Sequence, residues 1–414
     1  MKYLKKYYFP ILLLLLTLLS IGPYCLVKFN NYAVNFCLQI LIIFYLICFV
    51  KNKSYLSKYK VVLFFLFWVV ICGVRGIFIA ENYWDWKNLS SAFLSMLLSL
   101  IIYYIDSPSN FYHVFKYLMK RTTFLFVFLF CWIIKSDAVH YFLPSFLIFI
   151  CFIPIMSKKW KFISLLVAFM MLFRDIDGRS QILSAMASLC IAFALYIYRR
   201  GRCSFVVKKL KCVHWIFHII PLVLIVLGVT GVFNVFEGFS ETSLKNEKTY
   251  YINSEGNLQE SNAAADTRTF IYVDVINSAI KNDYILFGRT LARGNDCTFR
   301  FGDDTFLLTG RYERFANEVG MTNIFTWLGV VGLVLYIAMY LRASWLGLYR
   351  SQNIYIKLIA CLVAYHCMYG WIENYPAFTM HTVILYVMIA MCMSPSFRKM
   401  SNTDFEILIK NILK

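Results

Sequence analysis

The sequence predicts an all-α protein, a polytopic membrane bundle of about twelve transmembrane helices with both ends cytoplasmic and one large outside loop. Composition, the spacing of apolar runs and a lopsided charge distribution carry that expectation. Of 414 residues, 60% are hydrophobic and 15% charged, with mean hydropathy +0.65. A soluble domain carries about a quarter charged residues, so this chain cannot cover itself with a water-facing surface. Disorder, collagen-like repeats and a secreted disulfide scaffold are excluded on the same grounds.

A membrane-crossing helix needs about 20 mostly apolar residues. Candidate spans fall at 8–28, 33–50, 61–80, 88–105, 122–134, 141–156, 161–173, 180–198, 214–233, 319–341, 357–372 and 379–393. The first follows Met1-Lys2-Tyr3-Leu4-Lys5-Lys6, which resembles the start of a signal peptide. It lacks a small-x-small cleavage site, and Pro23-Tyr24 precede Cys25 where a lipobox needs small residues, so the helix is expected to be retained. The chain thus divides into nine helices over 1–233, a loop over 234–318, and three helices with a tail over 319–414.

Charge fixes the expected orientation. Of the 41 Lys and Arg, 26 lie on the inside segments of this map, 14 outside, and Arg75 within a span. Asp106, Asp404 and Glu406 are the inside acids, and the other 19 are outside. The formal charge of +19 is therefore a positive-inside signal and not a nucleic-acid footprint. Of 13 cysteines, Cys297 alone falls in the outside loop, which leaves no disulfide framework there. No internal repeat, P-loop or GxGxxG occurs.

Chemistry therefore belongs to the outside loop, where any substrate must arrive already activated. Residues 234–265 are polar and turn-rich. Asp266 or Thr267 is a suitable N-cap for a helix running to Lys281-Asn282-Asp283. Val273, Ile276 and Ile280, with Tyr272, Val275 and Ala279 beside them, give it an apolar stripe to lay on the membrane or the bundle. The loop holds Arg268, Arg289, Arg293, Arg300, Arg311 and Arg314 against three lysines. Arginine forks bind phosphate oxygens bidentately, and the alternative is pairing with the loop's own acids. A second candidate is Arg174-Asp175-Ile176-Asp177-Gly178-Arg179-Ser180, either an Asp-x-Asp metal site or a solvated turn, with Arg179 at the head of a span. His140 and His381 lie at outside ends of spans, while His214 and His218 share a helix face on the inside.

These residues resemble a known family. Asp266-Thr267-Arg268 through Phe287-Gly288 is similar to the loop motif of the O-antigen polymerase and O-antigen ligase superfamily, in which R-x-x-x-W-x-x-A opens a helix. Tyr272 takes the aromatic place, and Asp283-Tyr284 stand in the usual proline region. Asp177-Gly178-Arg179-Ser180 resembles the family's Ser-Arg-Ser/Thr element, and Leu328-Gly329-Val330-Val331-Gly332-Leu333 its G-x-x-G-L. One departure is that Asn317-Glu318 occupy the place of the ligases' His-Asn pair, which favours a polymerase.

The resemblance implies a glycosyltransferase of the bacterial inner membrane, acting on undecaprenyl-diphosphate-linked repeat units at the periplasmic face, in O-antigen or related polysaccharide synthesis. Arg179, Arg268, Arg289, Arg311 and Arg314 would hold diphosphate and sugar. Glu318, or else Asp266, would be the general base, and Tyr312, Phe315 and Trp371 could stack on sugar rings. No cofactor, resident metal or nucleic acid is expected; a chain-length regulator is a possible partner. The rivals are an O-antigen ligase, a flippase or transporter for the lipid-linked unit, and a structural membrane subunit.

Overall fold

The computed structural model describes residues 2–21, 31–51, 56–130, 144–173, 179–229, 248–252, 258–262, 267–297, 302–373 and 376–414. The chain is mostly helical. The first half builds α1 (Lys2–Ile21), α2 (Tyr32–Lys51), α3 (Lys60–Ile79) and α4 (Tyr83–Leu97), which continues through a 3-10 turn into α5 (Ile101–Tyr104). Next come α6 (Pro108–Phe130), α7 (Pro144–Ile150), α8 (Lys158–Phe173), α9 (Arg179–Arg199) and α10 (Cys203–Val229).

Among the described residues, five helical stretches are long and apolar enough to cross a membrane: Tyr32–Val50, Ser57–Ile79, Tyr83–Tyr104, Ile182–Arg199 and Gly320–Tyr349. Tyr7–Ile21, Ile354–Tyr369 and Met380–Met393 are shorter apolar helices. This makes the chain a membrane protein. Every expected span overlaps a helix, and among the described residues of 141–156 the helical parts are the seven residues of α7 and a 3-10 turn.

The loop region is not purely helical. An antiparallel hairpin of β1 (Lys248–Ile252) and β2 (Leu258–Asn262) pairs Lys248 with Asn262 and Ile252 with Leu258. Thr249, Tyr250, Tyr251 and Ile252 favour a pleated strand, a propensity that the turn-rich reading of 234–265 overlooked. After α11 (Thr267–Lys281), β3 (Asn295–Asp296) pairs with β4 (Glu313–Arg314) around α12 (Gly302–Thr309).

The core is formed by the last helices, α13 (Gly320–Tyr349), α14 (Ile354–Tyr369) and α15 (Met380–Met393), with α3 packed on α13. Almost every side chain of α14 and α15 is buried, as expected of helices apolar all round. α2, α3 and α9 instead present Phe44, Phe67, Phe78 and Phe193 outward, apolar faces suited to lipid. Two short helices, α16 (Pro395–Lys399) and α17 (Asn402–Ile412), close the end opposite the loop. Ser401 and Asp404 form a capping box on α17, and Phe405 stacks on Tyr355 at 4.9 Å.

One break organises the loop end. Inside α13, Gly329 adopts φ +68°, ψ −171°, so the helix is interrupted there. Chain 285–289 crosses the break: Val330 N–H donates to Ile285 O at 2.9 Å, and Arg289 N–H to Thr326 O at 2.7 Å. Gly288 is also left-handed (φ +70°), and a Cβ on it would lie 2.5 Å from Gly329 N and Trp327 O. Neither glycine tolerates a side chain, because the two backbones touch. Gly310 (φ +72°) has open space around its Cβ position and isolates the conformational part of the cost. We expect Gly310→Ala to lower stability by about 1–2 kcal/mol and Gly288→Ala by clearly more. Thermal unfolding in detergent checks this; equal shifts would mean that the crossing is loose.

Candidate functional site

The site grows from α11. Its C-terminus is a Schellman cap: Tyr284 N–H reaches Ala279 O at 3.1 Å, Asp283 N–H reaches Ile280 O at 3.4 Å, and Asp283 sits at φ 50°. Ile271, Val275, Ser278 and Ala279 are the buried face, and Ile271 and Val275 pack on Val319 with Tyr272 and Phe325. The expected stripe of Val273, Ile276 and Ile280 is exposed instead. The cause is the Ile271–Val275–Ala279 row, which lies about a quarter turn away and meets the start of α13. Tyr284 is buried, donates to Ser278 Oγ at 2.8 Å, and burial raises its phenol above the usual range.

Chain 285–289 is then clamped by α3. Arg75 donates through Nη1 to Phe287 O at 2.7 Å and through Nη2 to Gly288 O at 3.3 Å, while Trp68 Nε1 donates to Leu328 O at 2.9 Å. A lone arginine deep in a span was the sequence signal; its partners, carbonyls 212 and 213 residues away, were not legible.

Most loop arginines meet acids. Arg289 pairs with Asp296 at 2.6 Å and with Glu313 at 3.1 Å, and also donates to Gly294 O. Arg293 binds both Glu313 oxygens, and that hydrogen bonding raises its affinity for its proton. Arg311 bridges to Glu81 and to Asp85, whose side chain is wholly buried at the α3–α4 turn. For Asp296, burial favours the neutral acid, but donors from Asn282, Arg289 and Lys281 outweigh it and hold the carboxyl below its usual range. Thus Arg289 and Arg311, expected as diphosphate ligands, are tied to acids, and Arg293 with them.

Arg314 and Glu318 stand differently. Arg314 Nη2 lies 3.3 Å from Glu318 Oε1, and the Glu318 side chain is 54% exposed. Asp274 of α11 is raised by burial, with Arg314 pulling it back. The N-terminus of α13 beneath them is capped by the α14–α15 connection, with Gly320 N–H to Glu373 O at 2.9 Å and Met321 N–H to Gly370 O at 3.0 Å. Tyr272 OH donates to Trp371 O nearby, and Trp327 Nε1 to Phe315 O at 3.1 Å. An asparagine lattice fixes the turn: Asn317 Nδ2 donates to Asn295 Oδ1 at 2.9 Å, and Asn323 Oδ1 accepts from Asn317 N–H at 2.6 Å. The structure therefore brings Glu318, Arg314, Asp274, Tyr272 and Trp371 to one junction between loop and bundle.

Asp266, Arg300, Asp175, Asp177 and His140 lie outside the described residues. Arg268 falls in the first turn of α11, and Arg179 is the first residue of α9. His381 neighbours His366, with ring centroids 5.9 Å apart, and His214 and His218 both meet Ser344 Oγ, at 3.0 and 3.1 Å. Among the described residues, no group of three His, Cys, Asp or Glu is placed to hold a metal ion. Sequence reasoning missed Glu81, Asp85, Asp296 and Glu313, acids whose only signal was an excess of carboxylates outside. No family model, curated protein or solved structure matches this chain.

Two outcomes follow from the pairing. Asp85→Ala leaves the Arg311 guanidinium without its buried partner and should cost about 3–5 kcal/mol, read as a fall in the thermal midpoint and faster proteolysis of the loop. Asp296 has a depressed folded value, so its stabilisation is complete above the ordinary aspartate value of about 3.9 and fades as pH falls through the lower one. Proteolytic protection of residues 281–297 should drop on that acid limb, and Asp296→Asn should flatten it. An unchanged limb in the variant would sink this assignment.

Proposed function

We propose that this chain is a glycosyltransferase of the bacterial inner membrane that polymerises undecaprenyl-diphosphate-linked repeat units into O-antigen or a related surface polysaccharide. On this reading the helices make about twelve spans, both termini are cytoplasmic and the loop is periplasmic. The observation that carries it is the junction of Arg314, Glu318 and Asp274, a cation and two carboxylates gathered where the hydrophilic loop meets the head of α13. A lipid-linked donor would present its diphosphate at that level.

In the reaction, an acceptor hydroxyl forms a bond to the anomeric carbon while the bond from that carbon to the diphosphate oxygen breaks. The transition state places negative charge on the departing diphosphate and oxocarbenium character on the sugar. Arg314 pairs with the half-exposed Glu318, itself the candidate base, so it leads the candidates for the leaving group. Arg179 and Arg268 join it on the strength of the sequence resemblance. Glu318 would take the proton of the attacking hydroxyl, with Asp266 as the second candidate; a placed base is worth about 10²–10⁴-fold. Arg289 and Arg311 would act by holding the loop in shape. A chain-length regulator would be a natural partner.

The break in α13 favours a carrier as second reading, since transporters build substrate sites at interrupted spans. Against that, the N–H of Val330 and the carbonyl of Thr326 are already bonded to chain 285–289.

The test is the surface-glycan ladder of cells lacking the protein and complemented with variants. Arg314→Ala or Arg268→Ala should collapse the ladder to core plus one repeat unit. Removing one leaving-group contact costs about 2–4 kcal/mol of barrier, by analogy with oxyanion donors, or roughly 10²–10³ in rate. Glu318→Gln should weaken it strongly while the protein remains in the membrane. Core without any repeat unit, beside long chains on the carrier, would mean a ligase. Repeat units trapped at the cytoplasmic face would mean a carrier, and an unchanged ladder would overturn every enzymatic reading.

A further inference from the structure

Three arginines gather at the end of the bundle opposite the loop. Arg342 and Arg350 lie on the last turns of α13 to either side of Trp345, with guanidinium carbons 5.5 and 5.7 Å from its ring centroid. Arg398, on α16, is held by its backbone: its carbonyl accepts Gln352 N–H at 2.8 Å and Ser351 Oγ at 3.4 Å. Its side chain is less well provided. Nη2 reaches Met393 O at 3.4 Å, and Nε is buried with no hydrogen-bond partner.

Among the described residues, none of the three forms an ion pair. The three acids on this side have other partners: Asp106 binds Lys58 and Tyr59, Asp404 caps its own helix with Ser401, and Glu406 binds Arg199, Tyr355 and Lys410. Burial pushes Arg398 below the ordinary arginine range; Tyr59 and Cys392 pull it back, and the nearby Arg342 and Arg350 add to the lowering. Like charges collected around a part-buried donor are unfavourable unless an anion joins them. The surroundings indicate membrane-surface depth. Trp215 Nε1 donates to Tyr349 OH at 3.1 Å, so Trp215, Tyr349 and Trp345 mark the aromatic layer at a lipid–water boundary.

We propose that Arg342, Arg350 and Arg398 form a binding site for a phosphate-class anion, separate from the loop junction. At this depth the phosphodiester of an anionic phospholipid fits the three forks, and free phosphate shares the same chemistry. The site places α16 and the end of α13 under one ligand and would join the C-terminal helices to the membrane surface.

The experiment uses the full chain in neutral detergent, titrated with phosphatidylglycerol, phosphatidylcholine or inorganic phosphate, with the thermal midpoint as readout. Phosphatidylglycerol should raise the midpoint saturably and phosphatidylcholine should not. Arg350→Gln and Arg342→Gln alter exposed side chains and should keep the lipid-free midpoint while weakening half-saturation several-fold; Arg398→Gln should weaken it at least tenfold. Inorganic phosphate alone giving the same variant-sensitive shift would support the site and assign it to a free anion. Equal responses to the two lipids, or a phosphatidylglycerol response unchanged in all three variants, would overturn the proposal.

Discussion

The contact of two backbones at Gly288 and Gly329 is the constraint on which the rest of the loop end depends. An interrupted helix in an apolar bundle exposes N–H and C=O groups that lipid cannot satisfy. Here chain 285–289 takes them, while its own carbonyls are taken by Arg75. The break and the loop segment therefore complete one another: without the loop, α13 has open backbone groups, and without the break, chain 285–289 has no place to enter. The Schellman cap of α11 delivers the chain to that crossing at the required angle.

Once the crossing is fixed, the charges sort themselves by the partners they meet. Arg289, Arg293 and Arg311 sit where water is scarce and each meets one or two carboxylates, which is what an always-charged side chain requires in that setting. The short β3–β4 pair puts Glu313 and Asp296 side by side, so that two strands of two residues each can organise a five-membered ion network with Lys281, Arg289 and Arg293. Arg314, next in the chain and as buried as Arg289, pairs instead with the half-exposed Glu318.

Much of the fold was legible. Apolar runs marked the helices, and the Asp266–Asp283 pattern placed α11 to within a residue of Thr267–Lys281, because capping and helical spacing are local signals. The Gly288 and Gly329 motifs were visible separately, yet nothing local says that two glycines 41 positions apart touch. The buried face of α11 was misjudged, since Ile271 and Val275 compete with Val273 and Ile276 on pattern alone and only the partner, Val319, decides between them. The sequence showed six loop arginines as one class; sorting Arg289 and Arg311 from Arg314 needed acids from α3–α4 and β3–β4, brought close by long-range pairing.

Arg75 has a consequence for the order of assembly. Its partners at Phe287 and Gly288 are made more than 200 residues after it, so at ordinary synthesis rates of about 5–20 residues per second it waits about 10–40 s. During that interval α3 carries a solitary cation in its C-terminal half, at a cost of about 2.5–3.5 kcal/mol on the insertion scale if it is held at bilayer depth. The helix can lower that cost by riding high, with Arg75 in the headgroups, until the loop arrives. The final depth of an early span is then settled by a segment made more than 200 residues later.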